Sequence, residues 1–582
     1  MSHTSLAPFN VERAKLVIDT LYQQGIHHFC IAPGSRSTPL ALAIADHPKA
    51  NAFTHFDERG LGFYALGLAK SLSAPVAVLV TTGTAVANLL PAIMEAHLSR
   101  IPLLILSADR PPELRDCGSN QTADQVKIFT AFTRWEVDLA FSDPLASNEY
   151  MLSTLSYAVD RCSKNPAGPV QVNCMIREPF IHLDTLPEKH YTSCFYEPSS
   201  QSPCLESFKI WGKLLSQEKK GVILLGSDAL KNEDLDSFLL LAEALDWPIF
   251  SDIISGGRQI GDHPCHIEYF ELILKSIPDM QVNTVLQIGN RFVSKHLQTW
   301  IQNQLLDSYF LVVDHPFRQD PLHKVSRRME CNTDLFCKSI LNWISPSKTH
   351  WTSLWKSLSL KVKQIIQTHF LESNEFTEPS IFSFLSKINP SFHLYLSSSM
   401  PVRDADLLFY PEEGSCSIFC NRGASGIDGN IATAAGHAKG LQKPLVAIVG
   451  DLAALHDLSS FSLIYRSETP IILVLINNQG GGIFSFLPVA EKKEQFEEFI
   501  ATSHDYSFAA IAQTFSLPYT KVNSLEEWDK AWSQTQTSCL IEYCTQRASN
   551  VIHHKNLYNK VSENLCSFMK SLEIAQQIIP SP

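Results

Sequence analysis

Two apolar runs in the C-terminal third end in groups that together could hold a hard cation. Residues 446–449 lead into Gly450-Asp451, and residues 471–476 lead into Asn477-Asn478-Gln479-Gly480. Asp451 and Asn478 are 27 positions apart. That is the span of one strand–helix–strand crossover, which returns the chain to the same edge of a parallel sheet. A carboxylate, an amide oxygen and a backbone carbonyl at that edge suit Mg2+, which takes octahedral oxygen donors. A helix starting at Asp451 also points free backbone N–H groups at an anion such as a diphosphate. An isolated Gly-Asp is more often a helix cap; the paired asparagines at the next strand end favour metal.

The N-terminal third carries a complementary group. His55-Phe56-Asp57-Glu58-Arg59-Gly60 follows a short apolar stretch and precedes a glycine-rich helix. A glutamate there serves in acid–base chemistry if its surroundings shield it. Arginine recurs in distinctive company: Ala32-Pro33-Gly34-Ser35-Arg36-Ser37-Thr38-Pro39, Ala108-Asp109-Arg110-Pro111-Pro112, Ser399-Met400-Pro401-Val402-Arg403 and Asn421-Arg422-Gly423.

These residues need sheets to position them. Short β-rich runs alternate with amphipathic stretches, the pattern of parallel α/β sheets, and the outer thirds repeat one another. Gly67-Leu68-Ala69-Lys70, Pro75 and the run 76–80 match Gly436-His437-Ala438-Lys439, Pro444 and the run 445–449, and Pro102 and Pro470 then each precede a second strand. Matched landmarks in one order predict two copies of one domain. Strands at 222–225, 285–288 and 310–313 predict a third, Rossmann-like domain between them. The predicted bounds are 1–190, 205–345 and 350–582, with a linker at 191–203 and a peripheral helical tail.

Composition bounds the rest. The 582 residues carry a net charge of −12, which argues against nucleic-acid or anionic-membrane binding. The 14 cysteines form no CxxC pair and read as thiols of a reducing compartment. The opening residues show neither a basic region nor an apolar core of a signal peptide, and the apolar runs are strand-length, so a cytoplasmic protein is expected. His553-His554 read as surface histidines.

Gly450-Asp451 followed by Asn477-Asn478 resembles the metal–diphosphate motif of thiamine-diphosphate enzymes. The resemblance implies thiamine diphosphate with Mg2+ or Mn2+, with Asp451, the Asn478 side chain and the Gly480 carbonyl as metal ligands. Glu58 resembles the family's glutamate at the aminopyrimidine ring, and Thr81-Thr82-Gly83-Thr84 resembles the loop beside the thiazolium end. Most of the family has glycine where this chain has Leu452. The branch that joins 2-oxoglutarate to isochorismate in menaquinone biosynthesis has leucine there, and the arginine motifs and residues 477–488 match that branch too. The resemblance implies Arg36, Arg110, Arg403 and Arg422 as carboxylate holders, with Ser35, Gln121, Lys295 and Ser399 beside them. It places Thr82, Gly83, Ile427, Leu452, Ala453, Phe484 and Leu487 around the cofactor. Because Glu58 and Asp451 belong to different copies, it implies a homodimer or homotetramer. The alternatives are another thiamine-dependent 2-oxo acid decarboxylase or carboligase, or a non-catalytic ligand-binding paralogue.

Overall fold

The computed structural model describes residues 6–182, 191–197, 202–230, 235–372, 375–388, 390–414 and 416–578; part of the expected linker lies outside them. The apolar runs pair into three sheets, parallel throughout. The first comprises β1 (His28–Ile31), β2 (Asn51–Thr54), β3 (Val76–Val80), β4 (Leu103–Asp109), β5 (Trp135–Leu139) and β6 (Val170–Met175), in the order β2-β1-β3-β4-β6-β5. The second comprises β7 (Gly221–Leu225), β8 (Ile249–Ser251), β9 (Thr284–Ile288), β10 (Ser308–Val313) and β11 (Arg327–Glu330), in the order β11-β10-β9-β7-β8. The third comprises β12 (His393–Leu396), β13 (Ile418–Phe419), β14 (Leu445–Gly450), β15 (Ile471–Asn477), β16 (Tyr519–Val522) and β17 (Cys539–Cys544), in the order β13-β12-β14-β15-β17-β16. The first and third orders are the same order, so the repeated landmarks are repeated structure.

The repeat also explains its glycines. The helices Glu58–Leu72 and Asn430–Leu441 are buried along most of their lengths and cross at Gly67 and Gly436. A Cβ on Gly67 would overlap the Thr433 carbonyl oxygen, and one on Gly436 the Tyr64 carbonyl oxygen. Backbone thus meets backbone reciprocally, and Phe63, Tyr64 and Leu68 share one core with Ile431, Ala435 and Ala438. This contact sets the two outer sheets against each other within one chain.

The helix Trp351–Glu372 packs on the middle sheet: Trp355 meets Phe250 edge-on with ring centroids 5.0 Å apart, and Trp351 Nε1 donates to the Gly221 carbonyl at 2.9 Å. The last helix, Arg547–Ile578, buries Leu557, Val561 and Leu565. His553 and His554, expected at the surface, are buried. His553 Nδ1 lies 2.6 Å from Glu375 and His554 Nε2 3.1 Å from Asp404, and those tertiary partners draw them inward. No helix among the described residues is long and apolar enough to cross a membrane.

Candidate active site

Parallel pairing places Gly450 opposite Ile476, so β14 and β15 end together and deliver Asp451 and Asn478 to one edge. Asp451 opens the helix Asp451–His456 and is held from three sides. Its Oδ1 accepts from the Leu452 N–H at 2.7 Å, and its Oδ2 accepts from the N–H groups of Asn478 at 3.2 Å and Gly480 at 2.9 Å. His504 Nε2 stands 3.3 Å from the same oxygen. Asn478 donates from Nδ2 to Glu378 at 2.8 Å, while its buried Oδ1 has no partner. Gly480 adopts φ +142°, and a Cβ there would lie 2.6 Å from the Ala501 carbonyl oxygen, so only glycine makes this turn.

These groups line a cavity of about 340 Å3 that also admits Ser399, Arg403, Arg422, Ile427, Leu452, Ala453 and Phe484. Ser399 holds φ 78°, ψ −131°, a conformation nearly confined to glycine that costs about 1–3 kcal/mol; such strain is kept where function requires it. Arg403 donates to the Ser399 carbonyl. Burial, and then the charge of Arg422, hold its guanidinium below the usual arginine range. Two neighbouring guanidiniums in a half-enclosed cavity favour an anionic occupant.

The loop carrying Arg422 is clamped from the N-terminal domain. Buried Glu95 accepts from the N–H groups of Gly423 at 2.7 Å and Ala424 at 2.6 Å. Neither Glu95 nor Glu378 stands in a recognisable motif. Each acts on backbone or amide hundreds or scores of residues away, and the sequence offered no local signal for either.

The remaining expected residues gather at the carboxyl ends of β1 to β4. Arg36 is buried, donates to the Ile176 carbonyl and pairs with Glu178 at 3.1 Å. Arg110 donates to the Asn120 carbonyl at 2.6 Å and lies 3.8 Å from Glu178. Gln121 donates to the Thr82 carbonyl at 3.2 Å, and Gln125 accepts from the Gly83 N–H at 3.2 Å. Ser35 is exposed beside Arg36. Glu58 is half-buried at the first position of its helix, whose cap Asp57 accepts from the N–H groups of Arg59 and Gly60. Arg59 donates to the His456 carbonyl at 2.6 Å.

Ser35, Arg36, Glu58, Thr82, Gly83, Arg110 and Gln121 therefore form a second group, and none of them lines the cavity at Asp451. Lys295, exposed at the start of the helix Lys295–Asn303, and half-exposed Leu487 also stay outside it.

The donor set fits a divalent cation with a diphosphate. It offers a fixed carboxylate, a buried amide oxygen without a partner, and a carbonyl on a glycine turn. Three family models divide the chain. The N-terminal TPP binding domain of thiamine pyrophosphate enzymes matches residues 12–128, the middle domain 193–395 and the C-terminal TPP binding domain 411–542. A 2-succinyl-5-enolpyruvyl-6-hydroxy-3-cyclohexene-1-carboxylate synthase of Rubrobacter xylanophilus is 38% identical over 93% of this chain and 97% of its own. The chain belongs to this synthase family. A second synthase, from Salinibacter ruber, is 37% identical over 93% of this chain and 95% of its own. Among solved structures, benzoylformate decarboxylase from Polynucleobacter necessarius superposes with a TM-score of 0.69 over 92% of this chain and 98% of its own, at 15% identity, a likeness of fold.

Proposed function

We propose that this chain is a transferase that uses thiamine diphosphate and a divalent cation, Mg2+ or Mn2+, to decarboxylate 2-oxoglutarate. It joins the remaining four-carbon unit to isochorismate, releasing CO2 and 2-succinyl-5-enolpyruvyl-6-hydroxy-3-cyclohexene-1-carboxylate for menaquinone biosynthesis. The observation that carries this reading is the cavity itself: the Asp451–Asn478–Gly480 edge lies beside two guanidiniums, Arg403 and Arg422, that share one space.

Asp451, the Asn478 amide oxygen and the Gly480 carbonyl hold the cation. Thiamine diphosphate, when bound, supplies the electron sink that decarboxylation of a 2-oxo acid requires. Arg403 and Arg422 fix carboxylates by paired N–H donors, with Ser399 beside them. Ile427 and Phe484 present apolar surface that keeps water from the reacting atoms. Glu58 would serve as the acid–base group at the aminopyrimidine end, and Thr82 and Gly83 would edge the thiazolium end. Arg36, Arg110, Gln121 and Lys295 receive the carboxylates of the second substrate.

Glu58 and the Asp451 cavity belong to separate groups in one chain. The complete site accordingly takes its Glu58 side from one copy and its Asp451 side from another, in a homodimer or a pair of dimers in the cytoplasm. The chain divides at 1–190, 205–345 and 350–582. The direct test is consumption of 2-oxoglutarate with thiamine diphosphate and Mg2+, with and without isochorismate. A succinylated cyclohexene product formed only with isochorismate is expected. CO2 release without that product, or turnover of pyruvate alone, would replace this reading with a simpler decarboxylase.

A further inference from the structure

Asn478 can serve a cation only if its amide presents oxygen. The two ends of a carboxamide are nearly equal in size, and which end faces which way is set by hydrogen bonding. Here the opposite end is fixed by Glu378. Glu378 Oε1 accepts from Asn478 Nδ2 at 2.8 Å and from Thr545 Oγ1 at 3.3 Å. An amide turned the other way would set Oδ1 against a carboxylate oxygen and aim NH2 at the cation.

Glu378 is itself rigidly placed. It is the first residue of the helix Glu378–Ser386, and the N–H of the preceding Thr377 donates to Ser380 Oγ at 3.1 Å. Ser380 Oγ lies 2.9 Å from the Tyr543 hydroxyl, and that hydroxyl donates to the Thr377 carbonyl at 3.1 Å. Glu378 is 1% exposed and lines the same cavity as Asn478.

We infer that Glu378 is a positioning residue for the metal site: it holds the Asn478 amide so that Oδ1, buried and without a protein partner, faces the cation. The assignment rests on the reading of Asp451, Asn478 and Gly480 as metal ligands. Outer-sphere partners of this kind commonly carry about 10–100-fold in metal affinity.

The test is Mn2+ binding, followed by the electron-paramagnetic signal of the free ion with thiamine diphosphate saturating. It compares the parent chain with Glu378→Gln and Glu378→Asp. Gln keeps an acceptor within reach of Nδ2 and loses the charge; Asp keeps the charge and withdraws the acceptor by one methylene. Expected affinity for Gln is within about 3-fold of the parent, while Asp is weakened about 10–100-fold. Glu378→Met, similar in volume and without an acceptor, replaces the Asp variant if that chain does not fold, with the same loss expected. Asp binding as tightly as Gln, or equal losses in both, overturns the role of Glu378 while leaving the metal site in place. A parent chain that binds no Mn2+, or an Asp451→Ala chain that binds as the parent does, overturns the metal site and Glu378 with it.

Discussion

Glu178 Oε1 stands 3.1 Å from the Arg36 guanidinium and 3.8 Å from that of Arg110, so a carboxylate of the chain already lies between two arginines proposed to receive a substrate carboxylate. Both arginines have a backbone anchor besides, at Ile176 and Asn120, whereas Glu178 is 66% exposed and is the partner that can leave. With Glu178 itself in water the pair is solvent-screened and contributes about 1 kcal/mol, so displacement amounts to about a five-fold change in affinity. Glu178→Gln is expected to lower the KM for isochorismate by about 2–5-fold with kcat little changed. A KM that rises instead would mean that Glu178 aligns the arginines.

Glu58 is expected to carry the proton chemistry. Glu58→Gln should lower kcat by about 10²–10⁴-fold, the range for a positioned acid–base group, while Mn2+ and thiamine diphosphate still bind. Turnover that survives the substitution would remove Glu58 from the mechanism.

Separate residue groups within one chain make a stronger prediction about assembly. Glu58→Gln and Asp451→Ala chains are each expected to be inactive. In a mixed dimer, one site receives the intact Glu58 of one chain and the intact Asp451 of the other. Statistical mixing under C2 symmetry should therefore restore about a quarter of parental activity. Mixing that restores nothing, in dimers shown by mass to exchange, would place the whole site within one chain.

Much of this arrangement was readable from the residues because the signals were local. Strand ends carrying Gly450-Asp451 and Asn477-Asn478 announced a sheet edge, and the matched Gly67 and Gly436 segments announced a repeat. The contacts that tune the site were not readable in the same way. Glu95 grips the N–H groups of Gly423 and Ala424 from the opposite domain copy, and Glu378 reaches Asn478 across 100 positions. A lone glutamate on a helix has the same local sequence whether it faces water or a buried amide. Burial of His553 and His554 was missed for the same reason, since Glu375 and Asp404 become their neighbours only after the last helix docks.

The reciprocal glycine crossing should resist enlargement. Gly67→Ala and Gly436→Ala each drive a methyl group into a backbone carbonyl, at Thr433 and Tyr64 respectively, and backbone cannot step aside as a flexible side chain can. Each substitution is expected to destabilise by about 1–3 kcal/mol, read as a lowered denaturation midpoint. Gly25→Ala serves as the comparison, since a Cβ there meets nothing within 4 Å, although its φ of +93° adds backbone strain of its own. If Gly67→Ala leaves the midpoint unchanged, the helices have room to separate and the close crossing is not what joins the outer domains.

Acid should weaken the fold through the middle domain. His266 is buried, with Nε2 2.8 Å from Ser251 Oγ and Nδ1 2.9 Å from the Gly261 carbonyl oxygen. Burial pushes its pKa down to about 3, against 6.5 for the free side chain. Between those values the unfolded chain binds a proton that the folded chain refuses. The stability this neutral histidine contributes is thus complete above pH 6.5 and is lost progressively as pH falls toward 3. At pH 5 linkage sets the loss at about 2 kcal/mol. Burial lowers His315 to about 3 as well, so the two act in the same direction. Glutamine at position 266 keeps a donor and an acceptor for Ser251 and Gly261 but takes up no proton. Denaturant unfolding at pH 7 and pH 5 should therefore show a smaller acid-induced loss in His266→Gln than in the parent, by about that amount. Equal losses in the two chains would mean that His266 accepts its proton without leaving the fold, and that acid sensitivity arises elsewhere.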